Sequence, residues 1–379
     1  MRVVFDARHL QTVSRTRGIG RYSRNLLSAF ARRAPDDIAW TLLTLRNFPT
    51  SNTDGSHLPV HRTRGTFRLR RPELTMLALD PLLLPFELAG QGDLYHSVQL
   101  GLPAVHRTPV VLTLHDLAPL HWPSHYLRLP YSRVGHAWQY ALAKRADAII
   151  AVSDATKADV VARLAIPPER IRVIPGAVDL GFRPPSRETG AAVARERFGV
   201  PGRYVLYVGQ FDPRKNMDGL FAAFARGLDR EPDLRLVIVG TLGKLAPLMR
   251  DALARSRVDP ARVVVTGGVD DPTLAALYAG AEALLHAAWL EGFGLTALES
   301  LAAGTPVVGY RAGAVAEVVG DAGLLVDERD PDALGEALVT LLASSALQSD
   351  LRSRARPRAA QFSWDRAADD TLAVYRSLG

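Results

Sequence analysis

Glu291-Gly292-Phe293-Gly294-Leu295-Thr296-Ala297-Leu298-Glu299 sets two carboxylates eight positions apart around a Gly-Phe-Gly turn. Ala283-Leu284-Leu285-His286-Ala287-Ala288-Trp289 precedes it, and Ser300-Leu301-Ala302-Ala303-Gly304-Thr305-Pro306-Val307-Val308 follows. That order predicts a strand, a glycine turn, a helix, a glycine stop and the next strand. The two glycines let the backbone approach a ligand closely. The free N–H groups opening the helix then face whatever anion lies there.

Glu299 falls about one turn inside that helix, where a carboxylate accepts two hydrogen bonds from a vicinal diol. Glu291 lies just before the turn, on the ligand side. Phosphate-binding amides flanked by two diol-reading acids are what a nucleotide-diphosphate sugar requires.

Along the rest of the chain, short apolar, β-branched runs alternate with helical stretches, which argues for parallel α/β layers. The first series of strand candidates covers residues 3–5, 40–45, 94–97, 110–114, 148–152 and 172–174. A second covers 204–209, 234–239, 263–266, 283–286, 307–309 and 323–326. Between them residues 178–202, with Pro184-Pro185, read as the linker. A length of 379 residues also predicts two domains, and two such sheets bind ligands at their strand C-termini.

With no cysteine, disulfides, thiolate nucleophiles and Cys-ligated metals are excluded, in keeping with a reducing cytoplasm. Arg2-Val3-Val4-Phe5 reads directly as a strand, so no signal peptide is expected, and no apolar run reaches membrane-spanning length. Residues 1–183 carry 24 Lys and Arg against 14 Asp and Glu, and the remainder 22 against 25. The basic first half suits an anionic partner, a phosphorylated acceptor or a membrane surface. Its aromatics do not interleave with the basic residues, which argues against nucleic acid.

Several further segments carry chemistry. Gly18-Ile19-Gly20-Arg21-Tyr22-Ser23 fails as a dinucleotide fingerprint, with Ser23 at the third glycine position and more than ten residues separating it from the first strand. What remains is a glycine loop opening a helix at about Arg21, where amides can meet a phosphate. His115-Asp116 directly follows a strand, a place suited to function, with Asp116 available to orient the ring. His121 and His125 are four apart, but Pro123 breaks the helix that would align them as metal ligands, so an acceptor loop is the better reading. In Gly209-Gln210-Phe211-Asp212-Pro213-Arg214-Lys215-Asn216, Lys215 suits diphosphate oxygens, and Arg214 serves either a phosphate or a salt bridge. Arg62, Arg64, Arg68, Arg70 and Arg71 precede the apolar residues 74–86. That pairing suits anionic lipid, or a solvated loop before a core-packed helix.

The string from 283 to 308, taken with Gly18-Ile19-Gly20-Arg21-Tyr22, Leu114-His115-Asp116-Leu117-Ala118-Pro119-Leu120 and Asp212-Pro213-Arg214-Lys215-Asn216, resembles the retaining GT-B glycosyltransferases of family 4. It is most similar to a subgroup rich in mannosyltransferases of surface-polysaccharide assembly. The resemblance covers essentially the whole chain. It implies two doubly wound, Rossmann-like domains facing across a cleft: an acceptor-side domain at 1–183, a donor-binding domain at 184–361, and a final helix at 362–379 crossing back to the first.

The same resemblance implies contact of His115 with the transferred sugar, and catalytic roles for His115, Glu291 and Lys215. Donor contacts are implied for Gly18, Gly20, Gln210, Arg214, Lys215, Val269, Glu291, Gly292, Phe293, Gly294, Leu295 and Glu299. Many relatives carry arginine at the position of Gln210, which leaves Lys215 as the main cation for the diphosphate. No Asp-x-Asp motif ends a strand, and Asp330-Pro331-Asp332 reads as a loop before a helix, so no metal or other cofactor is expected. GDP-mannose is the first donor expected, with a UDP-hexose as alternative, and the acceptor a saccharide or a lipid-linked one. The expected location is the cytoplasm, with peripheral attachment to the inner membrane face. A non-catalytic nucleotide-sugar-binding protein on the same fold is the rival reading.

Overall fold

The computed structural model describes residues 1–16, 18–33, 35–47, 58, 60–66, 72–210, 212–240, 246–327 and 330–379. They form two compact units, Met1–Gly176 with Ser363–Gly379, and Ala177–Phe362. The first unit ends before the expected residue 183 because Phe182 belongs to the other core, packing edge-on to Tyr278 at 6.1 Å.

In the first unit the strands are β1 (Arg2–Asp6), β2 (Ala39–Leu45), β3 (Val60–Thr66), β4 (Leu94–Ser97), β5 (Val110–Leu114), β6 (Ala148–Ala151) and β7 (Ile171–Val173). Among the described residues they make one parallel sheet in the order β3-β2-β1-β4-β5-β6-β7. Strands β4 and β5 are buried along their whole length, as parallel strands covered on both faces must be, and their polar members are bonded inside, His96 Nε2 to the Thr113 hydroxyl at 2.8 Å. β3 corrects the reading of Arg62 and Arg64 as loop residues: both lie on an edge strand paired with β2. Arg68, Arg70 and Arg71 lie outside the described residues.

The second unit holds β8 (Tyr204–Val208), β9 (Arg235–Val239), β10 (Val263–Gly267), β11 (Leu284–His286), β12 (Val307–Tyr310) and β13 (Gly323–Val326). Among the described residues their order is β10-β9-β8-β11-β12-β13, all parallel. In each unit the order reverses beside its first strand, between β1 and β4 and between β8 and β11. Such switch points open a crevice at the strand C-termini, where ligands bind in doubly wound sheets.

The helix Trp364–Arg376 belongs to the first unit. Its buried face carries Trp364, Ala368, Leu372 and Tyr375, and Tyr375 lies near Phe30 and Trp40. Its exposed face is pinned by Arg32–Asp365, Arg33–Asp369 and Arg376–Asp37 ion pairs at 2.5–2.9 Å. Such surface pairs contribute little, so the apolar face holds the helix.

At the end of β1 the fully buried Arg8 donates Nε and Nη2 to Asp6 (2.9 and 2.6 Å) and Nη1 and Nη2 to Asp80 (3.0 and 2.9 Å). Burial pushes the Asp6 carboxyl up, but the Arg8 charge and its hydrogen bonds outweigh this and hold it below its ordinary value. Removing Arg8 leaves two carboxylates in the interior without their cation. Arg8→Met is expected to lower the stability of the first unit by about 3–5 kcal/mol, read as the shift of its urea transition by tryptophan fluorescence. A loss under about 1 kcal/mol would mean that water compensates the pair.

Candidate functional site

The stretch Glu291–Glu299 forms the rim of the β8/β11 switch point. β11 ends at His286, and a turn leads to Gly294, whose φ of +88° favours glycine and starts the helix Leu295–Ala302. No side chain caps this helix, so its first-turn amides stay open to an anion. The strand, turn, helix and Val307 strand follow the expected order.

After β8 the chain makes a 3-10 turn, Pro213–Lys215, capped by the Asp212 carboxylate accepting from the Arg214 amide at 3.1 Å. Asn216 then caps the helix Met217–Arg230 through its side chain on the Gly219 amide. These two caps fix Lys215 on a short rigid loop. Its ammonium donates to Glu291 Oε1, forming an ion pair in which both side chains are nearly buried. His286 Nε2 lies 3.3 Å from the same oxygen. Burial pushes the Glu291 carboxyl up, but Lys215 and the His286 hydrogen bond prevail and hold it well below the usual carboxylate range.

Backbone bonds knit these loops together. The Trp289 amide donates to the Arg214 carbonyl at 2.7 Å, and the Ala314 amide to the Glu291 carbonyl at 3.0 Å. Gly313, with φ +54°, lies so close that an added Cβ would approach the Glu291 backbone nitrogen to 3.0 Å.

Glu299 is buried inside the helix, one oxygen accepting from the Tyr278 hydroxyl at 3.0 Å. Arg214 lies 3.7 Å from Asp212, which favours the salt-bridge alternative for it. Gln210 is exposed beyond the end of β8, while Val269 packs, half-buried, against the core after β10. The switch point thus brings together Lys215, Glu291 and the 292–295 turn, with Arg214 beside them.

In the first unit three expectations need correction. The helix begins at Gly18, so Gly18 and Gly20 lie in its first turn and not in a preceding loop. Gly20 is buried against the Ser14 and Arg15 carbonyls, where a Cβ has no room, and Ser23 uses its buried hydroxyl to bond His9 Nε2 at 2.8 Å. Asp116 does not orient His115: it accepts from the Ala118 amide at 3.0 Å. The His115 Nε2 instead donates to the Val98 carbonyl at 3.2 Å, and the ring stands edge-on to Tyr22. Burial lowers the His115 pKa to about 4, so the ring is neutral at pH 7 with its proton on Nε2. His121 ends the short helix Ala118–His121 and does not lie in a loop, and it bonds Asp159 at 2.8 Å and Arg163 on the helix Asp154–Leu164.

Sequence reasoning missed His286 and Tyr278. Tyr278 gave no signal in a helix, but the polar ring of His286 in the middle of the apolar run 283–289 was a visible irregularity.

Residues 193–358 match the family of glycosyl transferases group 1, and residues 16–182 match Glycosyltransferase Family 4. Over 380 residues the chain is 28% identical to O-antigen chain mannosyltransferase B of Escherichia coli, covering 95% of this chain and 96% of that protein. It is 33% identical over 313 residues to a D-inositol 3-phosphate glycosyltransferase of Salinispora arenicola (strain CNS-205), covering 76% and 69%. In fold it resembles sucrose-phosphate synthase from Thermosynechococcus elongatus, with a TM-score of 0.78, 23% identity and coverage of 100% and 99%. The chain belongs to the family 4 glycosyltransferases of the GT-B fold. It is an enzyme that transfers a sugar from a nucleotide-sugar donor.

The buried histidines set an acid limit. Burial lowers the pKa of His9 to about 4 and of His96 to about 3, from an ordinary 6.5. The unfolded chain therefore binds protons below pH 6.5 that the folded chain refuses, and stability falls as pH drops through that window. Each ring costs up to about 1.4 kcal/mol per pH unit below 6.5. Urea midpoints are expected to fall from pH 7 to pH 5, and His96→Gln to flatten the fall. Equal midpoints at both pH values in the unmodified protein would contradict the burial of these rings in neutral form.

Proposed function

We propose that the enzyme is a metal-independent, retaining mannosyltransferase that takes its sugar from GDP-mannose and acts on a lipid-linked saccharide. The observation that carries this reading is the end-to-end similarity to an O-antigen chain mannosyltransferase. In this reading the amides opening the helix Leu295–Ala302 and the Lys215 ammonium receive the diphosphate, where charge grows as the glycosidic bond breaks. Glu299 takes the ribose diol, and Glu291 faces the sugar. The leaving diphosphate accepts the acceptor's proton as attack occurs on the face it departs from, which gives retention. His115, neutral at pH 7, serves as a hydrogen-bonding group toward the transferred sugar and not as a cation. A UDP-hexose donor is the second reading, suggested by the Anabaena protein of the same fold solved in complex with UDP-glucose.

Calorimetry separates the donor readings and tests Glu299 together. GDP is expected to bind more tightly than UDP. Glu299→Ala is expected to weaken the preferred nucleotide by about tenfold or more, since hydrogen bonds to a charged group contribute roughly 1.5–3 kcal/mol. Unchanged affinity in the variant would remove Glu299 from the site, and tighter UDP binding would transfer the donor to the uridine series.

The lipid-linked acceptor is supported by a surface in the first unit. Leu79, Leu82, Leu83 and Phe86 are 37%, 54%, 38% and 79% exposed and fall on one stripe of the helix Pro72–Leu88, while Asp80, Leu84 and Leu88 on its other side are buried. Among the described residues no helix is long and apolar enough to cross a membrane. An apolar stripe on a half-chain with 24 basic against 14 acidic residues suits the surface of an anionic bilayer. Leu82→Glu with Phe86→Glu is expected to abolish flotation with phosphatidylglycerol-containing vesicles while leaving nucleotide affinity intact. Flotation equal to that of the unmodified protein would exclude the stripe as the membrane contact.

A further inference from the structure

His286 closes β11 at the switch point and is buried, 5% exposed. Among the described residues the ring has a single polar contact, Nε2 with Glu291 Oε1 at 3.3 Å, and nothing partners Nδ1. A leucine would fill this strand end without leaving an imidazole nitrogen unsatisfied, and burying such a group is costly. The cost is offset by what the ring does to its one partner.

That partner is constrained from two sides. Lys215 and His286 both reach Oε1, from the loop after β8 and from β11 itself. No protein donor among the described residues reaches Oε2, so this oxygen is the one left to accept from a ligand. Because the ionised carboxylate can only accept, His286 Nε2 carries the proton and donates. The ring is itself locked: it is paired in register with Gly309 of β12, where a Cβ would approach the His286 Cβ to 2.9 Å. A lysine on a flexible stem leaves a carboxylate free to rotate about the shared bond. A second donor on a strand does not.

We infer that His286 is a positioning residue for the transferase reaction, holding Glu291 Oε1 so that Oε2 is presented to the donor sugar. The inference rests on the reading of Glu291 as a donor-sugar contact. It also gives Lys215 freedom to turn toward the diphosphate, because Glu291 then keeps one hydrogen-bonded partner in the interior. Arg214 and Tyr207 are the other titratable groups coupled electrostatically to Glu291, and neither hydrogen-bonds its carboxylate.

The test is a set of steady-state measurements with varied donor. His286→Leu is expected to lower kcat/KM for the donor by roughly tenfold, the scale of a hydrogen bond to an ionised group. The affinity for the nucleoside diphosphate alone, which has no sugar, is expected to stay within about twofold. His286→Gln, whose amide nitrogen reaches where Nε2 stands, is expected to recover most of the loss, and His286→Asn, which is too short, is not. In a Glu291→Gln background His286→Leu is expected to add little, because the group it positions is gone. Additive losses, or equal activity of the Gln and Asn variants, would overturn the inference. If the leucine variant fails to fold, the contrast between Gln and Asn decides alone. Should Glu291→Gln leave donor kinetics unchanged, the donor-site reading of Glu291 falls and the inference with it. A damaging Glu291→Gln beside a silent His286→Leu would refute the positioning role only.

Discussion

A carboxylate in the interior persists as an anion only where fixed donors replace the water it has lost, and Glu291 is the clearest case in this protein. Its two donors come from different loops, Lys215 after β8 and His286 at the end of β11, while its own carbonyl is taken by Ala314 after β12. Three strand ends are therefore tied to one residue, two through its carboxylate and one through its backbone. The glycines of the turn, the two caps around Lys215 and the Trp289 bond to Arg214 each keep one of those ties in place.

The first unit solves a similar problem by other means. At the end of β1 a buried arginine sits between two aspartates, and the histidines near it are held neutral by burial. The ions there have their hydrogen bonds met by protein groups on both sides. In the second unit one oxygen of the key carboxylate has no protein donor among the described residues. A filled network reads as architecture, and an incomplete one as a place for something else to bind.

The sequence made most of the strands and the glycine turn legible because fully buried parallel strands are continuous apolar runs and the turn requires glycine at 294. β3 was missed because an edge strand tolerates charge: Val60–Thr66 contains two arginines and a histidine and has no apolar run to notice. The start of the helix at Gly18 was obscured by glycines that resemble a loop, yet Gly20 is there because two carbonyls crowd it. Of the candidate site, Lys215 and Glu291 could be chosen one by one, but their pairing could not, since it depends on which strands are neighbours. The orientation of His115 was misjudged for the same reason: adjacency along the chain favoured Asp116, whereas the sheet placed the Val98 carbonyl there.

The last helix has a consequence for how the protein is made. The second unit is one continuous segment, but the first needs Ser363–Gly379 to be complete. On the ribosome the usual order is inverted. Residues 177–362 can close their core while the earlier-synthesised unit still lacks Trp364 against Tyr22 and Tyr375 against Phe30 and Trp40. The nascent first unit therefore waits with an apolar face uncovered for the whole time the second is being translated, and that interval is when it has most need of a chaperone.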